Sequence, residues 1–302
     1  MDKRNSSYIV LIFGVIALST SAVFAKLAKA PSSIIAFYRL VFSSIALLPV
    51  LLSKKNLMDE IKSLSRKQVY LGITSGIFLA LHYVLWFESL KYTSVASSTV
   101  IVTLQPLFSV AGGYMIFGDK INRKSMLGII IAIVGSIIIG MGDFQIGPKA
   151  FIGDIMALLA AAIITAYFLV GQHLRKKLSV IPYSLMGYIS SSIFLFIYSL
   201  MTGVSFTGYD KNTWLMFLGL ALISTILGQM LLNWVIKWLN TTIVSVGILG
   251  ESIWAIIFSY IFLKETISVQ QGLGISIILI GLGVFAVNNN IEKESIEEAI
   301  EA

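Results

Sequence analysis

Long apolar stretches separated by short polar connections dominate the sequence. A helix that crosses the roughly 30 Å hydrocarbon core of a bilayer needs about 20 mostly apolar residues, and ten stretches approach or exceed that length. The pattern therefore predicts an all-α integral membrane protein with ten transmembrane helices. They cover residues 8–27, 32–52, 69–90, 94–117, 125–141, 153–173, 182–201, 213–238, 242–263 and 269–288.

The connections are too short to hold a water-soluble domain, and the longest covers residues 53–68. The chain has no glycine-rich phosphate loop ending in Gly-Lys-Ser or Gly-Lys-Thr, so a nucleotide-hydrolysing motor is excluded. The first stretch follows Lys3 and Arg4 and resembles a signal peptide. It is long enough to cross the membrane, so we expect it to remain as an uncleaved helix.

Composition supports a membrane protein. Of the 302 residues, 57% are hydrophobic and 12% are charged, whereas soluble domains are about 45–50% apolar and about 25% charged. The chain has no cysteine, which excludes disulfides and thiolate chemistry. Two histidines and scattered acidic residues leave little material for a metal cluster, and we expect neither a metal nor a cofactor.

The net charge of +7 raises the question of a nucleic-acid partner, but the placement of the charges answers it. Of the 22 Lys and Arg residues, 15 fall in segments on the side of the N-terminus and 6 on the opposite side, with Arg39 inside a span. Basic residues concentrate on the cytoplasmic side of membrane proteins. We therefore expect both termini to be cytoplasmic, in the cell membrane, and no nucleic-acid partner.

The two halves of the chain repeat at an offset of 146 residues, with five predicted spans in each half. Because five is odd, the halves must enter the membrane from opposite sides, and such an inverted repeat is typical of transporters with a substrate site between the halves. The matched segments are 117–121 (FGDKI) with 263–267 (LKETI), 127–129 (LGI) with 273–275 (LGI), Gly135 with Gly281, and Gln105 with Glu251.

Several motifs resemble the EamA family of the drug/metabolite transporter superfamily, over about residues 8–288. They are residues 35–39 (IAFYR), 104–108 (LQPLF) with 118–119 (GD), 228–234 (GQMLLNW), and 249–252 (LGES) with 264–265 (KE). Ser252 stands where the family often has proline, and Asp119 where it often has glutamate. The first departure leaves open whether span nine has a helix break.

The resemblance implies two inverted five-helix repeats, residues 1–145 and 146–288, followed by a cytoplasmic acidic tail at 289–302. Spans 1–4 and 6–9 would surround a central cavity, with spans 5 and 10 to one side. Members of the family move small organic metabolites, amino acids and drugs, commonly outward.

Charged and polar residues inside predicted spans are candidate binding residues, because a charge at membrane depth is costly unless it faces a cavity or a partner. Arg39 could hold a carboxylate or pair with an acid, but could also form a structural ion pair or reach the headgroups. Glu251 could bind a cationic group, pair with Arg39 or act in proton coupling, and Gln105 is its counterpart in the first half. A simple polar contact between helices is the alternative.

Aromatic and polar side chains in spans three and eight complete the predicted site. His82, Tyr83 and Trp86 cluster in span three, and Gln229 and Asn233 cluster in span eight. Aromatic walls with a few convergent polar groups are typical of small-molecule pockets, although packing could explain any single ring.

Pro106, inside span four, should kink or loosen the helix beside Gln105. Small residues in span five, with Gly274 and Gly281 in span ten, favour close helix packing, either between these spans or across a homodimer. We assign them no chemistry.

These observations favour a non-enzymatic secondary transporter, either an exporter or a facilitator, for small organic solutes. A flippase for a lipid-linked or nucleotide-linked metabolite is the alternative within transport. An intramembrane enzyme would need a catalytic pair of acids or a zinc-binding His-Glu-x-x-His motif, and the sequence has neither.

Overall fold

The structure is a computed structural model that describes residues 3–93, 95–141, 148–264 and 266–301, and the regular secondary structure of these residues is entirely helical. The first half contains α1 (Lys3–Leu27), α2 (Ser32–Ser53), α3 (Lys55–Lys62), α4 (Arg66–Tyr92), α5 (Val95–Val102), α6 (Gln105–Phe117) and α7 (Arg123–Met141). The second half contains α8 (Pro148–Leu174), α9 (Val180–Met201), α10 (Lys211–Gly219), α11 (Met230–Val235), α12 (Thr241–Ile248), α13 (Glu251–Phe258) and α14 (Val269–Glu301).

Two π-helical segments extend these elements. Leu220–Gln229 joins α10 to α11, and Ser259–Leu263 follows α13. Within the described residues, nine helical stretches are long and apolar enough to cross a membrane. The predicted fifth span, 125–141, coincides with α7 but is not among these nine. The predicted boundary at residues 145 and 146 lies outside the described residues.

The charged connection at 53–68 contains a helix that the apolar pattern does not predict. In α3, Glu60 reaches α9 of the other half, where its carboxylate accepts hydrogen bonds from the Ser179 amide at 2.8 Å and the Ser179 hydroxyl at 2.6 Å. The next helix, α4, begins with a capping box between Ser65 and Gln68, which satisfies two amides at the helix start.

Helices α7 and α14 pack directly against each other through glycines. A Cβ atom on Gly281 would lie 2.4 Å from the backbone nitrogen of Ala132, and one on Gly135 would lie 2.8 Å from the carbonyl oxygen of Gly274. Gly128 contacts the Gly281 region in the same way. Since rising residue numbers in α7 meet falling numbers in α14, the two helices are antiparallel. The small residues therefore join spans five and ten within one chain.

Candidate functional site

Two of the predicted spans are interrupted at positions 146 residues apart. In span four, α5 ends at Val102 and α6 begins at Gln105, while in span nine, α12 ends at Ile248 and α13 begins at Glu251. At each break a backbone amide donates to the carbonyl three residues earlier instead of four. These hydrogen bonds run from Leu104 N to Ile101 O and from Leu249 N to Val246 O, both at 3.1 Å. Span nine therefore breaks although it has no proline.

Different residues produce the two breaks. Pro106 lies in the first turn of α6, where its missing N–H costs no helical hydrogen bond. The expected kink is thus a complete interruption of the helix, with Pro106 just after it. In span nine, Gly247 and Gly250 flank the break, and glycine lowers helix stability by about 1 kcal/mol relative to alanine.

Gln105 and Glu251 are the first residues of α6 and α13, and both side chains are buried. The N-terminus of a helix carries partial positive charge and amides without helical partners. Glu251 thus places an acidic side chain at the start of α13, and Gln105 places a neutral amide at the equivalent position in α6.

A small cavity of about 20 Å³ lies between the two breaks. Six of the predicted site residues line it: His82, Tyr83, Trp86, Gln105, Gln229 and Glu251. The remaining wall is apolar and consists of Leu18, Val102, Ile164, Phe168 and Ile248. The structure thus brings together predicted site residues from four spans, three, four, eight and nine, and adds apolar residues that were not predicted.

Several polar atoms of the cavity wall are buried and have no hydrogen-bond partner among the described residues. They are the Tyr83 hydroxyl, Trp86 Nε1, Gln105 Oε1 and Gln229 Nε2. An unsatisfied buried polar group costs about 1–3 kcal/mol, and native structures contain few of them. These four atoms are available to a polar molecule in the cavity.

The aromatic residues of α4 form one stacked wall. His82 and Trp86 stack with ring centroids 5.8 Å apart, and His82 Nδ1 lies 3.0 Å from the Ala160 carbonyl oxygen. Because a carbonyl only accepts, Nδ1 carries a proton and donates it to Ala160. This hydrogen bond fixes the ring against α8.

Arg39 lies beside the cavity and does not line it. Its Nε donates to the Thr225 hydroxyl and its Nη1 to the Ser21 hydroxyl, both at 2.6 Å, which ties α2 to the π-helical segment and to α1. Its guanidinium carbon lies 4.2 Å from the centre of the Tyr83 ring, close enough for a cation–π interaction. Its Nη2 has no partner among the described residues.

The predicted pairing of Arg39 with Glu251 is not a direct contact. The salt bridge found within the described part of the chain joins Lys91 to Glu88 at 2.8 Å, and Arg39 uses hydroxyl partners instead. Both side chains are buried.

Asn233 does not reach the cavity. Its Nδ2 donates to the Tyr167 hydroxyl at 2.6 Å and to the Ser184 hydroxyl at 3.1 Å. It therefore belongs to a separate polar cluster between α8, α9 and α11, one turn beyond Gln229. Gln229 and Asn233 are four residues apart in span eight, and only Gln229 reaches the cavity.

Arg175 is a buried residue of this neighbouring cluster that was not predicted. It follows the end of α8, its Nε donates to the Asn233 carbonyl oxygen at 2.8 Å, and its Nη1 donates to the Leu178 carbonyl oxygen. Burial lowers the pKa of its guanidinium to about 10, so the group stays charged at neutral pH. In the sequence it is one of three basic residues between spans six and seven. These residues were interpreted only as an indication of membrane orientation.

Comparisons with known proteins agree with this architecture. Uncharacterized transporters YxxF and YetK of Bacillus subtilis (strain 168) are 21% identical over 284 residues and 25% identical over 301 residues. The alignment with YxxF covers 93% of this chain and 90% of that protein, and the alignment with YetK covers 94% and 88%. A solved crystal structure has the same fold, with a TM-score of 0.77 and 14% identity, over 94% of this chain and 98% of its own.

A family model decides the assignment. The model of the EamA-like transporter family matches the chain twice, over residues 5–141 and 151–287. The resemblance inferred from the sequence motifs is confirmed, and with nearly all of its length matched, this chain belongs to the EamA-like transporter family.

Proposed function

We propose that the protein is a secondary transporter in the cytoplasmic membrane for organic solutes of about amino-acid size that carry both polar and apolar groups. The observation that carries the proposal is the cavity between the two helix breaks. Its wall combines aromatic rings with buried hydrogen-bonding atoms that have no partner in the described part of the chain. A site for an inorganic ion would need a close shell of charges or carbonyl oxygens.

The chemistry of the wall favours a solute with groups of both kinds. Trp86 Nε1 and Gln229 Nε2 are donors, which suit an acceptor such as a carboxylate. The Glu251 carboxylate and Gln105 Oε1 are acceptors, which suit a donor such as an ammonium group. A purely apolar drug would leave these groups buried and unpaired.

Two inverted repeats of five spans supply the transport mechanism in this proposal. The antiparallel packing of α7 on α14, which are equivalent in the sequence repeat, supports it. So do the paired breaks, because discontinuous helices near the membrane midplane form the substrate sites of inverted-repeat transporters. We place both termini in the cytoplasm on the basic-residue bias.

The size of the cavity implies that helices must move for a solute to enter. A volume of about 20 Å³ suffices for about one water molecule, whereas small-molecule pockets occupy about 300–1,000 Å³. The structure therefore represents a closed arrangement in this mechanism. The breaks beside Gln105 and Glu251 are the natural hinges, since short non-helical turns absorb backbone rotation more easily than continuous helix.

Glu251 is the residue on which the proposal is tested. After a thermal-shift screen against amino acids, purines and cationic drugs has identified a solute, uptake is measured in proteoliposomes across a range of pH. Glu251→Gln should abolish most transport while preserving folding, because the two side chains have nearly the same shape. Glu88→Gln is the matched control, since Glu88 bonds to Ser32 and Lys91 away from the cavity. Normal transport by Glu251→Gln at every pH would contradict both binding and proton-coupling roles.

A further inference from the structure

A second, much larger space lies on the membrane-facing side of span nine. It is a crevice of about 520 Å³ between α1, α12, α13 and α14. Its lining residues include Tyr8, Ile12, Gly250, Trp254, Leu279 and Ala286. None of the lining side chains is charged, and all lie in three of the stretches able to cross a membrane.

The crevice opens sideways. Ile12 and Leu279 on its walls are 59% and 57% exposed, although both lie in membrane-crossing stretches. Its inner end reaches Gly250 at the break of span nine, where the nearest side-chain atoms to an added Cβ would be 3.9 Å away, on Leu282 and Val15. The crevice is therefore an apolar slot that runs from the membrane-facing surface to the residue before Glu251.

We propose that this crevice binds one acyl chain of a membrane phospholipid. At membrane depth the surrounding solvent is hydrocarbon, and a slot without charged groups matches it. From Tyr8 to Val15 the helix rises about 10 Å, somewhat less than the 15 Å depth of one leaflet of the hydrocarbon core. Tyrosine is enriched at the interface with the headgroups, and in the sequence the basic residues Lys3 and Arg4 precede Tyr8, which suits an anionic headgroup.

A bound chain would affect the transport site through its contact with the break. Gly250 joins the crevice to Glu251, so an acyl chain held there supports the closed arrangement of α12 and α13. This role is independent of the transported solute. The phospholipid site can therefore exist even if the proposed substrate class is wrong.

The test is native mass spectrometry of the full chain, purified in a mild detergent. Wild-type protein should retain one phospholipid per chain. Ala286→Phe fills the crevice from an exposed position and should reduce the retained lipid about tenfold. Val287→Phe adds a similar ring at the adjacent exposed position outside the crevice and should retain the lipid. Equal retention by both variants, or no lipid on the wild type, overturns the proposal.

A second measurement identifies the ligand. Delipidated protein is titrated with phosphatidylglycerol brominated in mid-chain, and tryptophan fluorescence is recorded. Saturable quenching is expected in the wild type and should be lost in Trp254→Phe and in Ala286→Phe. Prior addition of a free fatty acid of the same chain length should not prevent the quenching. If the fatty acid or the detergent alone saturates the crevice, the occupant is not a phospholipid and the proposal fails.

Discussion

The hydroxyl of Thr103 lies 3.0 Å from the hydroxyl of Ser252, and this contact joins the two helix breaks directly. Thr103 donates its own proton to the Val100 carbonyl oxygen at 2.9 Å, so Ser252 is the donor of the pair. Both side chains are buried. Ser252 thus contributes a hydrogen bond between the two halves at the break of span nine.

The first prediction concerns this bond. Ser252→Ala and Thr103→Val should each lower the free energy of unfolding by about 0.5–1.5 kcal/mol, the net value of a typical hydrogen bond. The double variant should lose less than the sum, because both substitutions remove the same contact. Thermal unfolding in detergent measures the stability of the two single variants and the double variant. Ser276→Ala is the control, because Ser276 is an exposed residue of α14. Strict additivity would show that the hydroxyls do not interact.

The glycine contact between α7 and α14 gives the second prediction. Gly281→Ala should destabilise the protein by about 1–3 kcal/mol, as overpacking does in protein cores, because its Cβ would lie 2.4 Å from Ala132 N. Gly283→Ala is the control two residues away, where nothing lies within 4 Å of the added atom. Thermal unfolding of the two variants should differ clearly, and equal stability would mean that α14 packs through another face.

Membrane topology is the subject of the third prediction. If the halves are inverted, the turns that contain Lys120 and Thr266 lie on opposite faces of the membrane. The native sequence has no cysteine, so single cysteines at these positions can be labelled with an impermeant maleimide in intact cells. Only the Thr266→Cys variant should react before lysis. Equal labelling of both variants would eliminate the inverted arrangement.

A fourth prediction addresses selectivity. Trp86 supplies ring surface to the cavity, so Trp86→Ala should weaken transport of aromatic or large aliphatic solutes about tenfold more than transport of small polar ones. Trp234→Ala removes an equal side chain from a position that does not line the cavity. A solute panel in proteoliposomes compares the two variants. Unchanged selectivity in Trp86→Ala would place the aromatic wall of the site elsewhere.

The fifth prediction is a pH dependence outside the membrane. Asp210 caps α10 by accepting a hydrogen bond from Thr213 N at 2.7 Å, and its hydrogen bonds with Thr213 lower the pKa of its carboxyl. A lowered folded-state pKa contributes stability that is present above the unfolded pKa and is lost as pH falls through the folded pKa. The first turn of α10 should therefore lose protection below about pH 4.

Hydrogen exchange of the peptide containing Thr213, corrected for intrinsic rates, measures this effect. Asp210→Asn should remove the pH dependence, because asparagine caps helices as well as aspartate without titrating. In Asp210→Ala, the Thr213 amide should be unprotected from exchange at every pH. A wild-type amide whose protection does not change in acid would show that the carboxylate is not what holds this turn.

The apolar pattern predicted the helical stretches well but not their interruptions. Both halves of a broken span are apolar, so span nine looks continuous in the sequence, and its break depends on Gly247 and Gly250 packing near α1 and α14. The predicted acidic tail at 289–302 continues α14 and is helical through Glu301. Hydropathy cannot show where the spacing of backbone hydrogen bonds changes from four residues, as in an α-helix, to three residues.

Site residues were predicted best where a polar or charged side chain lies near the middle of a predicted span. Gln105 and Glu251 were found by the repeat, and both line the cavity. Asn233 lies one turn beyond Gln229, where its amide donates to Tyr167 and Ser184 outside the cavity, and the spacing in the sequence does not show these partners. Arg175 was missed because burial at the end of a span depends on its contacts with the Asn233 and Leu178 carbonyls, which no local pattern shows.

The pairing of α7 with α14 has a consequence for biosynthesis. Helix α7 is synthesised with the first half, yet the helix that covers its glycines comes after the whole of α8 to α13. Throughout that interval its glycine face lacks the backbone contacts that hold it in the finished protein. Closure of the pair is therefore a late step of assembly, and a chain interrupted before α14 leaves α7 without the helix that covers it.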